Sequence, residues 1–268
     1  MTQLEKVLED LTADSDQLDR VVAGLDADQW NLPTPAPGWT IANQVAHLAF
    51  IFRLAATAAS DAETFEAMTA GAKGNFDGAV NAALKGYAND TPEVLLSRWR
   101  AEREKAVKAL AAVPAGQTVP WLVNPLPPVV LASAGIMEQF AHGQDIADAL
   151  GVELERTDRL RHLVTFAVLT RDFGYLARGL TPPAAEFRFE ITAPSGEMWT
   201  FGPEDAGQRV CGPALDFCLL VTRRRHRADL AVTATGDEAG GWLDIAQAYR
   251  GPAGVGRSPG QFDALVTR

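Results

Sequence analysis

The sequence predicts an α+β protein: an antiparallel four-helix bundle followed by a small unit of mixed strands and helices. Three observations carry that expectation. Apolar residues recur at helical spacing between Leu4 and Leu150. Proline- and glycine-rich connections break this pattern into long segments. The period then switches to alternation at Phe187, Phe189 and Ile191, the signature of a half-buried strand.

Leu4, Val7, Leu8, Leu11, Leu18 and Leu25 mark the buried stripe of the first helix. After a loop of Pro33, Pro35, Pro37 and Gly38, Thr40 is a side-chain cap for a second helix through Ile41, Val45, His47, Leu48, Phe50 and Ile51. Residues 61–90 are Ala-rich and looser; they predict one or two short helices with a break around 71–74. Thr91 caps the third long helix, with Pro92 at its first position and Glu93 near its positive end. Leu95, Leu96, Trp99, Val107 and Leu110 form the buried face of that helix. Pro114, Pro120, Pro125, Pro127 and Pro128 punctuate the next connection. A fourth long helix is expected over 129–150, with Gly151 at its stop. Four long helices joined by loops pack most simply as an antiparallel bundle.

A further helix is expected over 157–179. Beyond Ile191, the turn of Pro194, Ser195 and Gly196 leads to a hairpin partner at 197–201. Residues 212–222 read as a helix, 230–233 as a strand, 238–249 as a last helix and 251–260 as an irregular tail. The expected domains are residues 1–155 and 156–268, with the boundary falling between Gly151 and Pro183.

The 268 residues are 47% hydrophobic and 22% charged, ordinary values for a globular chain. The net charge of -10 argues against binding nucleic-acid phosphates, which need a basic face. Cys211 and Cys218 fit neither a zinc knuckle nor a disulfide framework, so a reducing cytoplasm is expected. The N-terminus reads as an acidic amphipathic helix without a signal-peptide pattern, and no apolar run reads as long enough to span a bilayer. Small molecules, rather than nucleic acid or membrane, are the expected partners.

Candidate chemistry concentrates on the fourth helix. Glu138 and His142 are four residues apart, about 40° around an α-helix, and stand one above the other. Asp145 falls near the same face, among the apolar Met137, Ala141, Ile146 and Ala149. His47 lies in the middle of the second helix and faces this pair if the two helices are neighbours. Two imidazoles and one carboxylate form a zinc donor set with a fourth position left for water or substrate. Nickel or iron also accept such a set. Asp145 suits a role as an acceptor that orients an imidazole. On spacing alone, a Glu–His pair is more often a surface pair than a metal site, and a histidine on an apolar helix is more often a hydrogen-bonded core residue.

Residues 34–48, Thr-Pro-Ala-Pro-Gly-Trp-Thr-Ile-Ala-Asn-Gln-Val-Ala-His-Leu, resemble the first signature of the mycothiol-dependent maleylpyruvate isomerase N-terminal domain. That domain belongs to the DinB-like four-helix-bundle superfamily. Residues 137–151, from Met137-Glu138-Gln139-Phe140-Ala141-His142 to Gly151, resemble its second signature. The resemblance implies a divalent metal, usually zinc, held by one histidine of the second helix and two donors of the fourth. The matching positions are His47, Glu138 and His142. Many DinB-like relatives carry histidine where this chain has Glu138, and the Glu form resembles the isomerase branch. Residues 210–226 are similar to the C-terminal domain of the same family, a sterol-carrier-like α+β unit. Residues 242–252 are similar to an actinobacterial subgroup of unassigned role.

The resemblance implies a metal-bound thiolate of mycothiol, a low-molecular-weight thiol. It adds to a conjugated double bond and leaves after rotation, or it attacks an electrophile as in an S-transferase. An arginine of the C-terminal domain is implied to hold a substrate carboxylate. Arg224 and Arg225 are the matches; residues 223–227 also read as a solvated turn with helix-end charges. Two other readings stay open. One is a non-catalytic metal- or ligand-binding protein, and the other a hydrolase using metal-bound water with Asp145 as base. The oligomeric state is not set, and a homodimer is compatible with each.

Other conspicuous residues read as structural. His162 and His226 are expected on the surface, and Cys211 and Cys218 as buried small apolar side chains. Trp39 is expected to pack its loop onto the bundle, and Trp99 and Trp242 to lie in the cores.

Overall fold

The computed structural model describes residues 1–71, 76–122 and 124–263, residues 76 and 77 by their backbone alone. The chain divides into two compact units, Met1–Leu154 and Glu155–Arg268.

The N-terminal unit is built on four long helices, α1 (Gln3–Val22), α3 (Ile41–Ser60), α6 (Pro92–Ala111) and α7 (Pro128–Leu150). The short α2 (Ala27–Trp30), α4 (Ala62–Thr69) and α5 (Phe76–Leu84) lie in the connections. Thr2 and Thr40 make capping boxes with Glu5 and Asn43, which satisfy backbone donors that the first turn leaves open. The Thr91 hydroxyl accepts from the Val94 amide, and Gly151 ends α7 at φ 64.

α3 packs against α6 and α7, and α1 packs against the same two helices. Ile41, Val45, Leu48, Ala49, Phe52 and Leu54 are all buried. Each large apolar side chain covered in this way contributes about 1.5–3 kcal/mol. A helix enclosed by neighbours must be apolar around most of its circumference. For that reason α3 is long and apolar enough by composition to cross a bilayer, contrary to the expectation that no segment is. Most of its surface is buried inside this unit.

Other details differ from expectation. α1 stops at Val22, so Leu25 lies beyond it, and Ala106 rather than Val107 is buried on α6. α2, opened by an Asp26 capping box, is a single helical turn hidden in a loop-like stretch. Of the expected break at 71–74, residues 72–74 lie outside the described residues.

In the C-terminal unit, α8 (Leu160–Leu169) and α9 (Phe173–Leu176) precede the strands β1 (Phe187–Thr192), β2 (Met198–Phe201) and β3 (Gln208–Pro213). α10 (Ala214–Val221), β4 (Thr233–Thr235) and α11 (Asp237–Ile245) follow. The sheet order is β2-β1-β3-β4, with β1 and β3 parallel and the outer pairs antiparallel. Gly202 makes the turn out of β2 at φ 79. A Cβ there would lie 2.0 Å from the Phe187 carbonyl oxygen, so only glycine lets the chain pass so close to β1.

Phe187, Phe189, Ile191, Trp199 and Val210 are buried on one face of the sheet. The Trp242 ring of α11 meets Phe189 at 5.6 Å and Phe217 of α10 at 6.1 Å between centroids, and its indole N–H donates to the Arg171 carbonyl at 3.0 Å. On the other face, Arg188 and Glu190 of β1 stand beside Arg209 and Cys211 of β3. Glu190 accepts from Arg209 at 3.0 Å and from the Cys211 thiol at 3.6 Å.

The expected helix over 157–179 is two helices, interrupted at Thr170, which leaves helical geometry at φ -106. In α9, Gly174 lies so close to α11 that a Cβ would be 2.1 Å from the Ile245 carbonyl oxygen. Residues 212–213 belong to β3, and the helix starts at Ala214. β3 escapes pattern reading because Val210 is its one buried side chain. β4 lies at 233–235, after a 3-10 turn at Arg227–Asp229. α11 ends at Ile245, because the Ala248 amide donates to the Val221 carbonyl at 2.8 Å and draws the chain out of the helix. Cys218 is buried as expected, whereas Cys211 is only half-buried.

Replacing Trp242 with alanine is expected to lower stability by about 3–5 kcal/mol, read by urea denaturation. Burial pushes the Cys218 thiol far above its ordinary pKa. A thiol reagent at pH 8 is therefore expected to label Cys211 alone in the folded protein, and both cysteines in urea, by mass spectrometry.

Candidate metal centre

Polar side chains meet inside the N-terminal unit where α3 faces α7. Gln44 and His47 are three residues apart on α3, and Glu138 and His142 four apart on α7, so each pair shares one helix face. The helices bring the two faces together. Glu138 Oε2 lies 3.3 Å from His47 Nε2 and 3.2 Å from His142 Nε2. One donor atom from each of the three side chains falls within 4.8 Å of the others, and among the described residues this is the one such His/Cys/Asp/Glu group.

The imidazoles are nearly enclosed, while the Glu138 side chain keeps 22% of its surface exposed. Burial works against charge on Glu138. Hydrogen bonds from His142 and His47 outweigh it and hold the carboxyl far below its usual range.

The sequence reading missed Gln44, which is fully buried. Its Oε1 is 2.5 Å from His142 Nδ1, and its Nε2 donates to the Thr34 hydroxyl at 2.8 Å and to Asp145 Oδ2 at 3.5 Å. A carboxylate only accepts, so Asp145 forces the amide nitrogen of Gln44 toward itself and leaves the oxygen for His142. His142 must then carry a proton on Nδ1. Asp145 thus meets Gln44, whose amide oxygen faces His142 Nδ1. Nothing in an apolar helical period distinguishes such a glutamine from any other polar interruption.

With Nδ1 protonated, a neutral His142 turns the lone pair of Nε2 toward a carboxylate oxygen 3.2 Å away. Two lone pairs at that range repel, so the approach calls for positive charge between the atoms: a proton on Nε2, which gives the hydrogen bond to Glu138, or a metal ion. The Nδ1 of His47 is also buried without a hydrogen-bond partner. A divalent ion suits the set. Bonds of about 2.0–2.1 Å at tetrahedral angles place ligand atoms about 3.3–3.4 Å apart, close to the separations found.

Trp39 adjoins the centre. Its ring stacks on His142 at 5.8 Å and 19° and lies 5.4 Å from His47. The Thr34 hydroxyl donates to the Trp39 carbonyl at 2.9 Å and accepts from Gln44, which ties this loop to the cluster. Trp39 therefore packs on the imidazoles themselves.

The remaining candidates lie elsewhere. In the C-terminal unit, Arg224 donates to the Thr222 carbonyl at 2.8 Å. Arg225 donates to the Arg224 carbonyl at 2.7 Å and covers the Phe262 ring at 3.8 Å. His226 is half-buried, and its Nδ1 accepts from the Ala228 amide at 3.1 Å; His162 is half-buried on α8.

Bundle and donor set together define a helical-bundle protein with a cluster compatible with a divalent cation. The chain belongs to the mycothiol maleylpyruvate isomerase N-terminal domain family, whose model matches residues 11–147 and so spans the whole cluster. A model described as wyosine base formation matches residues 183–235. Uncharacterized proteins from two strains of Mycobacterium tuberculosis are each 47% identical over 248 residues, covering 92% of this chain and 96% of theirs. The crystal structure of a mycothiol-dependent maleylpyruvate isomerase shares the fold, with TM-score 0.56 and 16% identity over 86% of this chain and 92% of that one. A histidine-to-alanine mutant of that enzyme matches with TM-score 0.55.

Replacing Gln44 with leucine leaves a buried imidazole N–H unpaired, a loss of about 1–3 kcal/mol. Imidazole 15N NMR of the metal-free protein is expected to show His142 protonated on Nδ1 in the wild type, and a mixture of tautomers in Gln44→Leu.

Proposed function

We propose that this chain holds a divalent metal on His47, Glu138 and His142 and uses a low-molecular-weight thiol, mycothiol, to act on an electrophilic small molecule as an isomerase or S-transferase. Zinc is the first candidate for the metal, with nickel and iron behind it. The observation that carries this reading is the convergence of two imidazoles and a carboxylate, with one tautomer fixed from behind, in a bundle of this family. Three protein donors leave a coordination position for a substrate. A metal held there supplies the charge that keeps a thiol deprotonated at neutral pH.

The chain's own residues do the rest. Gln44 keeps His142 Nε2 aimed at the centre, and Asp145 and Thr34 keep Gln44 in place. Trp39 covers both imidazoles with an apolar surface that limits competing water. Arg224 or Arg225 offers a guanidinium to a substrate carboxylate. The free thiols of Cys211 and Cys218 suit a reducing compartment, and the cytoplasm is part of the proposal. A hydrolase needs a base beside the metal. Asp145 is fully buried and bonded to Gln44, a setting that favours the thiol reading.

Elemental analysis of the purified protein is expected to find about one divalent metal per chain. His47→Ala and His142→Ala are expected to lose it, and Gln44→Leu to bind it about 10–100-fold more weakly. In the cobalt(II) form, mycothiol is expected to add a sulfur-to-cobalt charge-transfer band in the near ultraviolet. Metal-free wild type, or full metal in both histidine variants, would falsify the site. A cobalt spectrum indifferent to mycothiol would leave a metal protein and discard the thiol chemistry.

A further inference from the structure

The Gln44 amide has two ways to satisfy His142, and they leave the imidazole in different states. With its oxygen toward the ring, as it stands 2.5 Å from Nδ1, the proton is on Nδ1 and Nε2 can keep a lone pair for a cation. With the amide turned over, its nitrogen would donate to Nδ1. The ring proton would then sit on Nε2 and donate to Glu138 Oε2, 3.2 Å away. That second arrangement satisfies the ring as well, but it spends Nε2 on an internal hydrogen bond. Imidazole and carboxylate by themselves do not choose between the two.

The loop before α3 makes the choice. The Thr34 amide donates to the Trp39 carbonyl at 2.8 Å, the Trp39 amide to the Ala36 carbonyl at 3.0 Å and the Ile41 amide to the Leu32 carbonyl at 3.1 Å. Pro33, Pro35 and Pro37 lock φ at three positions, so the loop is stiff. Within it, the Thr34 hydroxyl oxygen lies 2.9 Å from the Trp39 carbonyl oxygen. A carbonyl only accepts, so the one hydroxyl proton points at it. Any other direction brings two oxygens to that distance with no proton between them.

The Thr34 hydroxyl is left with lone pairs alone for Gln44, whose Nε2 lies 2.8 Å away. Gln44 must therefore present its nitrogen to Thr34 and its oxygen to His142. Asp145 agrees with this direction from 3.5 Å, the outer limit of a hydrogen bond, so the shorter bond to Thr34 carries more weight. Trp39 thus meets His142 twice. Its ring stacks on the imidazole at 5.8 Å and 19°, and its carbonyl acts on Nδ1 through two intervening side chains.

We propose that Thr34 is a positioning residue that sets the tautomer of His142: it relays the polarity of the Trp39 carbonyl through Gln44 and keeps Nε2 from being spent on Glu138. A serine or threonine is required at position 34, since only a hydroxyl donates to the loop and accepts from Gln44 at once. The tautomer stands on these hydrogen bonds alone; its consequence for a metal rests on the function proposed above.

The test is imidazole 15N NMR of the metal-free protein, recorded where each ring carries one proton. Thr34→Val keeps the side-chain shape and removes the hydroxyl. His142 is expected to pass from Nδ1-protonated in the wild type to largely Nε2-protonated in Thr34→Val, and to return to Nδ1 in Thr34→Ser. In competition with a chromogenic chelator, Thr34→Val is expected to bind zinc about tenfold more weakly and Thr34→Ser as wild type does. If circular dichroism shows that Thr34→Val does not fold, Thr34→Ala takes its place. Nδ1 still protonated in the deciding variant, a serine variant that behaves like valine, or zinc held equally well after the tautomer has changed, overturns the proposal. A tautomer that follows position 34 in a protein that binds no zinc upholds the relay and removes only the metal site.

Discussion

The apposition of α3 and α7 is fixed by polar groups that have nowhere else to go. Gln44 and Asp145 are both fully buried, and His47 nearly so. Buried polar atoms must find partners inside the protein, because leaving one unpaired costs about 1–3 kcal/mol. Apolar side chains tolerate a slide of one helix along another; a chain of bonds from the Trp39 carbonyl through Thr34 and Gln44 to His142 does not. The apolar residues of α3 hold the bundle together, and the polar ones set the register at which it closes. The candidate centre depends on that register, since Glu138 must reach two imidazoles carried on different helices.

The helical framework was largely legible in the sequence because its signals are local. Thr40, Thr91 and Gly151 act within one turn of their own positions, and Glu138 and His142 share a face by helix geometry alone. What could not be read locally depends on pairing across the chain. His47 needed the family resemblance to be joined to α7. Gln44 has no signature at all until Asp145 and His142 are seen beside it. β3 carries little apolar pattern because its partners, not its own side chains, make it a strand, and α11 is cut short by a hydrogen bond from Ala248 to a carbonyl on α10. In each case a contact made at long range overrides a local preference.

Charge is handled in two ways in the C-terminal unit. On the polar positions of the sheet, Arg188 and Arg209 both reach Glu190, so the cations are balanced where they stand. At the end of α10, Arg223 stands on a strained backbone, and burial raises the pKa of the Tyr249 phenol against the opposing charge of nearby arginines. Backbone strain is tolerated in folded proteins mainly where it serves a purpose beyond folding.

The placement of His47, Glu138 and His142 within one continuous stretch also orders events during synthesis. All three, with Thr34, Trp39, Gln44 and Asp145, precede the boundary at Leu154. At about 5–20 residues per second, residues 155–268 take roughly 6–23 s to make. Every side chain of the cluster is therefore joined to the growing chain before any strand of the sheet has been translated. The helical unit depends on no later segment for its donors, and its maturation can begin on the ribosome while the C-terminal half is still being encoded into protein.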